Sequence, residues 1–553
     1  MSSRWIPRIT SSGSGGGPPP VDAQDRFAPT ILVGNVPAGD SAVAYDTDGF
    51  VYIPDTGNGA GIEAAVTRLG GGPGRIYVRR GDYDFDLAGA PLTAIVLPAS
   101  TVVSGEGVGA TVVTGRSSGS QGIFSLADSC QLTDMTLSSP VADAAGVGLT
   151  GVVEARSKSV LRDLNVIVAA AATGTLRAAV SLVSGSETDV TILDNVRVSM
   201  STKTGSAAPT VGLRMVNGSY AQVTNFTSTG GDVAISTDRS FLKAVNIDAT
   251  GFAVSAVIQT NSTNVSLGGG SIQMSNFRFV ADGTLTAIVI NIAWSTSTFA
   301  NGYVGGAGGA HGLLVYRAGT NLSSNLFSNI YFRECLVSAE FRGTFYQGLD
   351  SCTFIVPATG TGVISNASFY LTVTAPRLSM TTGTGFDLWN GGGAVSIVTP
   401  MMNINDAGAN TAIAVRIRTV LCQVTGGYIQ ASSMDVPILI EAAGYRANVS
   451  NVQVYAVDAV ARPLIRITGT DSCVIANNGF TSFSRNYAKI ELIATFGNVV
   501  NGNRVEGSVG PQAILLAADT SSNQVVGNYC RGSILAPVTD LGVLNNVASN
   551  YGS

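Results

Sequence analysis

From about residue 129 onward, the apolar and polar positions of this chain recur in short blocks with similar beginnings. Early examples are CQLTDMTL (130–137), VLRDLNVIV (160–168), VTILDNVRV (190–198), AQVTNFT (221–227), LKAVNID (242–248) and NLFSNIYF (325–332). A C-terminal series follows with ANVSNVQV (447–454), CVIANNGF (473–480), NVVNGNRV (498–505) and NQVVGNYC (523–530). Successive blocks begin roughly 20–30 residues apart, within the range of solenoid repeats. A coil of that length holds about three short strands and cannot bury its inner face alone. Stacking coils pairs each strand with its equivalents above and below, at about 4.8 Å per layer. Alternating Val, Ile and Leu would then fill one continuous interior. Asn165, Asn195, Asn225, Asn246, Asn329, Asn451, Asn477 and Asn528 stand at similar points between strands. There they suit a bent or left-handed turn and a ladder of side-chain amides along the axis. The pattern predicts an all-β, right-handed, single-stranded parallel β-helix. The competing arrangement, an antiparallel sandwich with Asn and Gly at hairpin turns, lacks the even amphipathic alternation it requires.

Upstream the pattern changes. Strand-like runs at 30–33 and 50–53 lie between Gly, Pro and Asp turns. Ile62, Ala65, Val66 and Leu69 fall at helical spacing, and Gly70 to Gly72 end that helix. RIYVRR (75–80) alternates as a strand. The opening MSSRWIPRIT carries Trp5, Ile6, Pro7 and Ile9 ahead of SSGSGGGPPP at 11–20, a tether that cannot pack a core. The expected division is an anchoring peptide and linker over 1–28, a small β-rich segment over 29–60, a cap helix with the first coils over 61–128, and a shaft over 129–553.

Composition agrees with an all-β solenoid. Hydrophobic residues make up 45% of 553 residues and charged residues 12%, about half the usual charged share. Gly is abundant at 67. The net charge of −5 comes from 31 basic and 36 acidic residues spread along the chain, so no basic groove for nucleic acid is expected. The six cysteines, Cys130, Cys335, Cys352, Cys422, Cys473 and Cys530, are scattered and read as buried free thiols. No secretory signal and no membrane span is expected. A single histidine, His311, leaves no multi-histidine metal site.

The stretch from Ile62 to Val113 joins a short helix, GGGPGRIYVRRGDYDF, a Leu-Pro step and GEGVGATVV. It resembles the start of pectate-lyase-like β-helices, and the later Asn-rich coils are similar to the same superfamily. Chains of this design without a signal peptide look like phage tailspikes, tail fibres and other virion spikes. The resemblance implies a homotrimer on the virion that binds bacterial surface polysaccharide. It would be held to other virion proteins by its N-terminal segment, with Trp5, Ile6, Pro7 and Ile9 as anchors. Two alternatives stay open: a tailspike depolymerase acting as glycoside hydrolase or lyase, and a bacterial surface adhesin.

Candidate chemistry is sparse. GEGVGA (105–110) has neither the βαβ setting nor the lysine of a phosphate loop. DTDG (46–49) starts like a calcium loop, but its twelfth position is Gly57. Asp82, Asp84 and Asp86 alternate along one strand face and read as solvated. Hence no metal and no cofactor is expected. Glycosidases on this fold resemble one another in N-T-D, D-D, G-H-G and R-I-K motifs. Here there is no Asp-Asp pair, AHG (310–312) is a partial echo, and RIR (416–418) lies about 100 residues farther on. These departures tilt the reading away from catalysis. If the chain is an enzyme, Glu334, Glu340 and Asp350 are the candidate acids, set in its most aromatic stretch. Tyr331, Phe341, Tyr346 and Trp389 are the candidate glycan contacts, because sugar rings stack on exposed aromatics. Trp294 and Tyr303 are lesser candidates.

Overall fold

A computed structural model describes residues 30–35, 50–85, 94–115, 122–139, 150–168, 177–183, 188–201, 209–216, 218–260, 270–281, 286–291, 296–316, 324–389, 393–405, 411–432, 436–456, 462–482 and 487–552. The expected anchor residues Trp5, Ile6, Pro7 and Ile9, the 11–20 linker, DTDG at 46–49, Asp86 and Trp294 lie outside these residues.

The chain is a parallel β-solenoid. Every strand pair among the described residues is parallel, for example Leu161 beside Leu132 and Leu193, and Val424 beside Ile397 and Val449. That rules out the sandwich. Each coil contributes to three sheets. The first contains Arg75–Val78, Val102–Gly105 and, near the other end, Gln524–Val526. The second contains Gly81–Asp84, Thr111–Thr114 and Gly479–Ser482. The third contains Ile95–Leu97, Thr384–Trp389 and Ile490–Ile493. The long strand Asn325–Arg342 runs through all three, pairing in turn with Phe345–Asp350, Thr353–Val356 and Thr361–Asn366.

Alternation sends every second side chain inward, and parallel register stacks like on like. The first sheet lines up Leu132, Leu193, Phe299, Phe327, Val424 and Val525, all buried. Phe299 and Phe327 stack at 5.5 Å, as do Phe332 and Phe354 at 5.3 Å. Each such aliphatic or aromatic side chain gains about 1.5–3 kcal/mol from burial, and each coil shields its neighbours.

Two rows of left-handed residues turn the coils. Between the first and second sheets stand Asp163, Asn195, Asn225, Asn246, Asn276, Asn301, Asn329, Asn451 and Asn477, all with φ between 50° and 58°. Their amides bond along the axis: Asn246 donates to Asn225 at 3.0 Å and Asn329 to Asn301 at 2.8 Å. Two of the expected turn residues sit elsewhere. Asp163 holds the left-handed position, and Asn165 falls on the following strand beside Thr136 and Arg197. Gly527 turns the chain in place of Asn528, which is buried in an interior ladder. That ladder runs Asn478, Asn503, Asn528, Asn550, each Nδ2 donating to the next Oδ1 at 2.8–3.0 Å. A parallel one joins Asn498, Asn523 and Asn545.

At the N-terminal end the helix is Ala60–Arg68, with Ile62 and Ala65 buried against the first strands. The buried Asp55 carboxylate receives the N–H groups of Gly57, Asn58, Gly59 and Gly61 just ahead of and within its first turn. Thr30–Asn35 pairs with both Phe50–Asp55 and Arg75–Val78, so these two strands of the 29–60 segment join the same sheet as the coils. All six cysteines are buried and free.

Candidate functional site

The outward row of the third sheet gathers charge that the chain otherwise uses sparingly. Register places Glu340, Ile364, Asp387 and Arg416 on successive coils, followed by Leu439, Arg466 and Glu491. A second row, two residues on, holds Tyr316, Arg342, Asn366, Trp389 and Arg418. Adjacent coils bring opposite charges within contact. Arg418 Nη2 donates to both oxygens of Asp387, at 2.6 and 2.7 Å. Arg416 grips Glu441 at 2.5 and 3.2 Å. Arg466 Nε lies 2.8 Å from Glu491. The Arg418 guanidinium also covers the Trp389 ring at 5.5 Å, so Trp389 is a half-buried, charge-flanked surface on this face.

Glu340 is 4% exposed. Its Oε2 lies 2.5 Å from His311 Nε2 and 2.8 Å from Arg342 Nη2, and Arg342 Nε donates to Oε1. Burial alone would push this carboxyl up. The hydrogen bonds and charges of His311 and Arg342 outweigh it and pull the group down to about 2. Such a carboxylate stays ionised at ordinary pH, which suits neither a general acid nor an effective base.

The two other candidate acids lie elsewhere on the coil. Glu334 has a left-handed backbone between the second- and third-sheet portions of its strand, with a half-exposed side chain paired to Arg333 at 3.0 Å. Asp350 ends a first-sheet strand beside Ser328 and Thr374 and accepts from Ser351 Oγ at 3.2 Å. The three carboxylates therefore do not share a face, and a parallel coil cannot bring alternate sheets together across its filled core. Among the described residues no group of His, Cys, Asp or Glu is arranged to hold a metal ion.

The candidate glycan contacts also separate. Phe341 is 0% exposed and points into the core beneath Phe327, so the expected glycan contact there is corrected to a packing role. Tyr331 is exposed on the second sheet and stacks on Tyr303 at 5.8 Å. Tyr346 belongs to the corner where the third sheet turns into the first. There Phe345 stacks on Phe369 at 4.9 Å and Tyr346 on Tyr370 at 5.0 Å, with planes within 11° and 5°. Tyr346 and Tyr370 are 50% and 51% exposed and sit at φ 50° and 58°. A bulky aromatic in the left-handed region is an outlier that local preference does not favour. Thr344 Oγ1 and Ser368 Oγ bond at 3.1 Å beneath this corner, and Ser368 Oγ donates to Phe341 O, tying it to the core.

Sequence reasoning missed Phe369 and Tyr370 as partners of Phe345 and Tyr346, and Arg416 and Arg418 as neighbours of Trp389. The signal was there: Tyr346 and Tyr370 lie one coil apart, as do His311 and Glu340.

No family model matches the sequence, and no curated protein matches it. Solved structures with a similar chain path include the A-module of mannuronan C-5 epimerase AlgE6 from Azotobacter vinelandii, at 12% identity over 90% of this chain and 97% of that chain, TM-score 0.27. The catalytic domain of a GH87 alpha-1,3-glucanase, in complex with tetrasaccharides, matches at 12% identity over 62% of this chain and 63% of that one, TM-score 0.38. A double mutant of the tailspike protein of E. coli bacteriophage HK620 matches at 12% identity over 75% of each chain, TM-score 0.38. The solenoid assignment rests on this chain's own strand pairing.

Proposed function

We propose that this chain is the shaft of a polysaccharide-binding spike, carried on a phage virion as a homotrimer and used for adhesion to bacterial surface glycan. The observation that supports binding most directly is the aromatic corner, where Phe345 stacks on Phe369 and the half-exposed Tyr346 on Tyr370 across consecutive coils, since exposed ring faces suit sugar rings. The corner follows directly on Arg342 and Asn366 of the third sheet, so ring stacking and hydroxyl-bonding groups adjoin. Binding is favoured over cleavage because Glu340, Asp387 and Glu491 of the third sheet are each paired with a guanidinium, and hydrolysis of a glycosidic bond asks for two carboxyl groups flanking it.

Residues 1–28 serve as the virion anchor in this reading. Binding of the intact protein to an array of bacterial surface polysaccharides tests it. Retention that Tyr346→Ala/Tyr370→Ala weakens at least tenfold is the expected result. Release of reducing or unsaturated ends from a bound glycan would replace adhesion with depolymerisation. Light scattering that shows a stable monomer would remove the trimer.

A further inference from the structure

One outward row of the second sheet is set apart by its side chains. Register places Tyr303, Tyr331, Thr353, Arg377, Met401 and Tyr428 on successive coils. Tyr331, Arg377, Met401 and Tyr428 are exposed. Tyr331 stacks on Tyr303 on one side, and the short Thr353 is its neighbour on the other. The chain enters this sheet through Ser351, Ala375, Thr399 and Gly426, left-handed residues with small side chains that leave the row open at that corner. On its other flank stand Ser379, Asn403 and Gln430, again in register.

The charge of this face runs against that of the chain. The chain carries −5 overall, and on the third sheet acids and guanidiniums are matched pair by pair. From Tyr303 to Arg531 the outward strand positions of the second sheet carry Arg333, Arg377, Arg504 and Arg531 against Glu506 among the described residues. Arg333 is tied to Glu334 and Arg504 to Glu506. Arg377 has no ion pair among the described residues. An exposed guanidinium therefore stands between two exposed tyrosines, and from Tyr331 to Tyr428 is four layers, about 19 Å.

We infer that this row is a track for a linear acidic polysaccharide, with a carboxylate on Arg377 and sugar rings against Tyr331 and Tyr428. A guanidinium meets a carboxylate through two parallel hydrogen bonds, and a tyrosine offers an apolar face with a polar tip. The flanking hydroxyl and amides of Ser379, Asn403 and Gln430 can bond sugar hydroxyls. Tyr, Met and Arg also mark protein contacts, but an apolar strip one side chain wide, edged by such groups, suits a single extended polymer better than a broad partner face. The track rests on the polysaccharide-binding reading, adds a sugar class and a second face to it, and does not depend on the Tyr346 corner.

The test is affinity electrophoresis of the intact protein through polygalacturonate and hyaluronate as acidic probes and dextran as the neutral one. Thermal melting and light scattering check folding and assembly. The expected result is a parent chain that an acidic probe retards and dextran does not, with retardation falling as salt rises. Arg377→Glu and Tyr331→Ala/Tyr428→Ala should each reduce it at least tenfold at unchanged Tm and mass. Equal retardation of the parent and Arg377→Glu overturns the track, and if Tyr346→Ala/Tyr370→Ala then reduces it, the binding reading stands. Retardation by dextran as strong as by the acidic probes overturns the sugar class. A lower mass in either variant assigns the row to a subunit contact and overturns the track. A parent chain that neither acidic probe retards overturns it too, while the array test through Tyr346 and Tyr370 still decides the binding reading. If the tyrosine variant melts early, Arg377→Glu alone decides.

Discussion

His311 and Glu340, 29 residues apart, meet on neighbouring coils of the third sheet, Nε2 lying 2.5 Å from Oε2. Arg342 closes on the same carboxylate from its own strand. Because the carboxyl is pulled from 4.5 down to about 2, the stabilisation it supplies is fully present above pH 4.5. It is lost as pH falls through the folded value near 2. Urea melts between pH 6 and pH 2 should show a loss of about 2–3 kcal/mol from this group, and Glu340→Gln should flatten that part of the profile.

Lys489 behaves in the opposite sense. It is buried, with Nζ 3.4 Å from Ser482 Oγ, and burial lowers its amine from 10.5 to about 8. Between those values the unfolded chain holds a proton that the folded chain does not, so stability rises with pH from 8 to 10.5. Lys489→Met should remove that rise and stabilise the protein at pH 7 by about 2 kcal/mol, as read from the denaturation midpoint.

The interior amide ladder should be costly to interrupt in its middle. Asn503 is fully buried and bonds to Asn478, Asn528 and Ile475 O. Asn503→Ala leaves several of these groups without partners, at about 1–3 kcal/mol each. Equilibrium unfolding should show a larger loss for Asn503→Ala than for Asn550→Ala, since Asn550 is the last member of the ladder and only partly buried.

Arg418 combines a two-oxygen grip on Asp387 with a stack on Trp389. Lysine keeps the charge but loses the planar fork. Arg418→Lys should change the Trp389 component of the fluorescence emission while costing under about 1 kcal/mol of stability, given the partial exposure of the pair. If polysaccharide lies along this face, affinity should also fall several-fold.

Much of this architecture was legible in the order of residues. Asn195, Asn225, Asn246 and Asn329 marked the first turn row because few other side chains tolerate that backbone. Ile62, Ala65 and Leu69 marked the helix by spacing alone. Asn165 and Asn528 misled by a residue or two, since Asp163 and Gly527 can make the same turn and similarity of neighbouring letters does not set register. Phe341 misled more seriously. It lies among exposed aromatics in sequence, but alternation along its strand sends it inward while Glu340 and Arg342 face out.

By itself the sequence determined the repeat, the strands and turns within each coil, the helix and the buried thiols. These follow from short-range preferences and from a period that any stacked coil must repeat. Only the tertiary structure decided which coil neighbours which at each position. It joined His311 to Glu340, set Tyr346 on Tyr370 and left Gly393 opposite Phe369. Such contacts depend on the summed length of every loop in between, because a parallel stack matches residues by axial level, and one inserted residue moves a whole face.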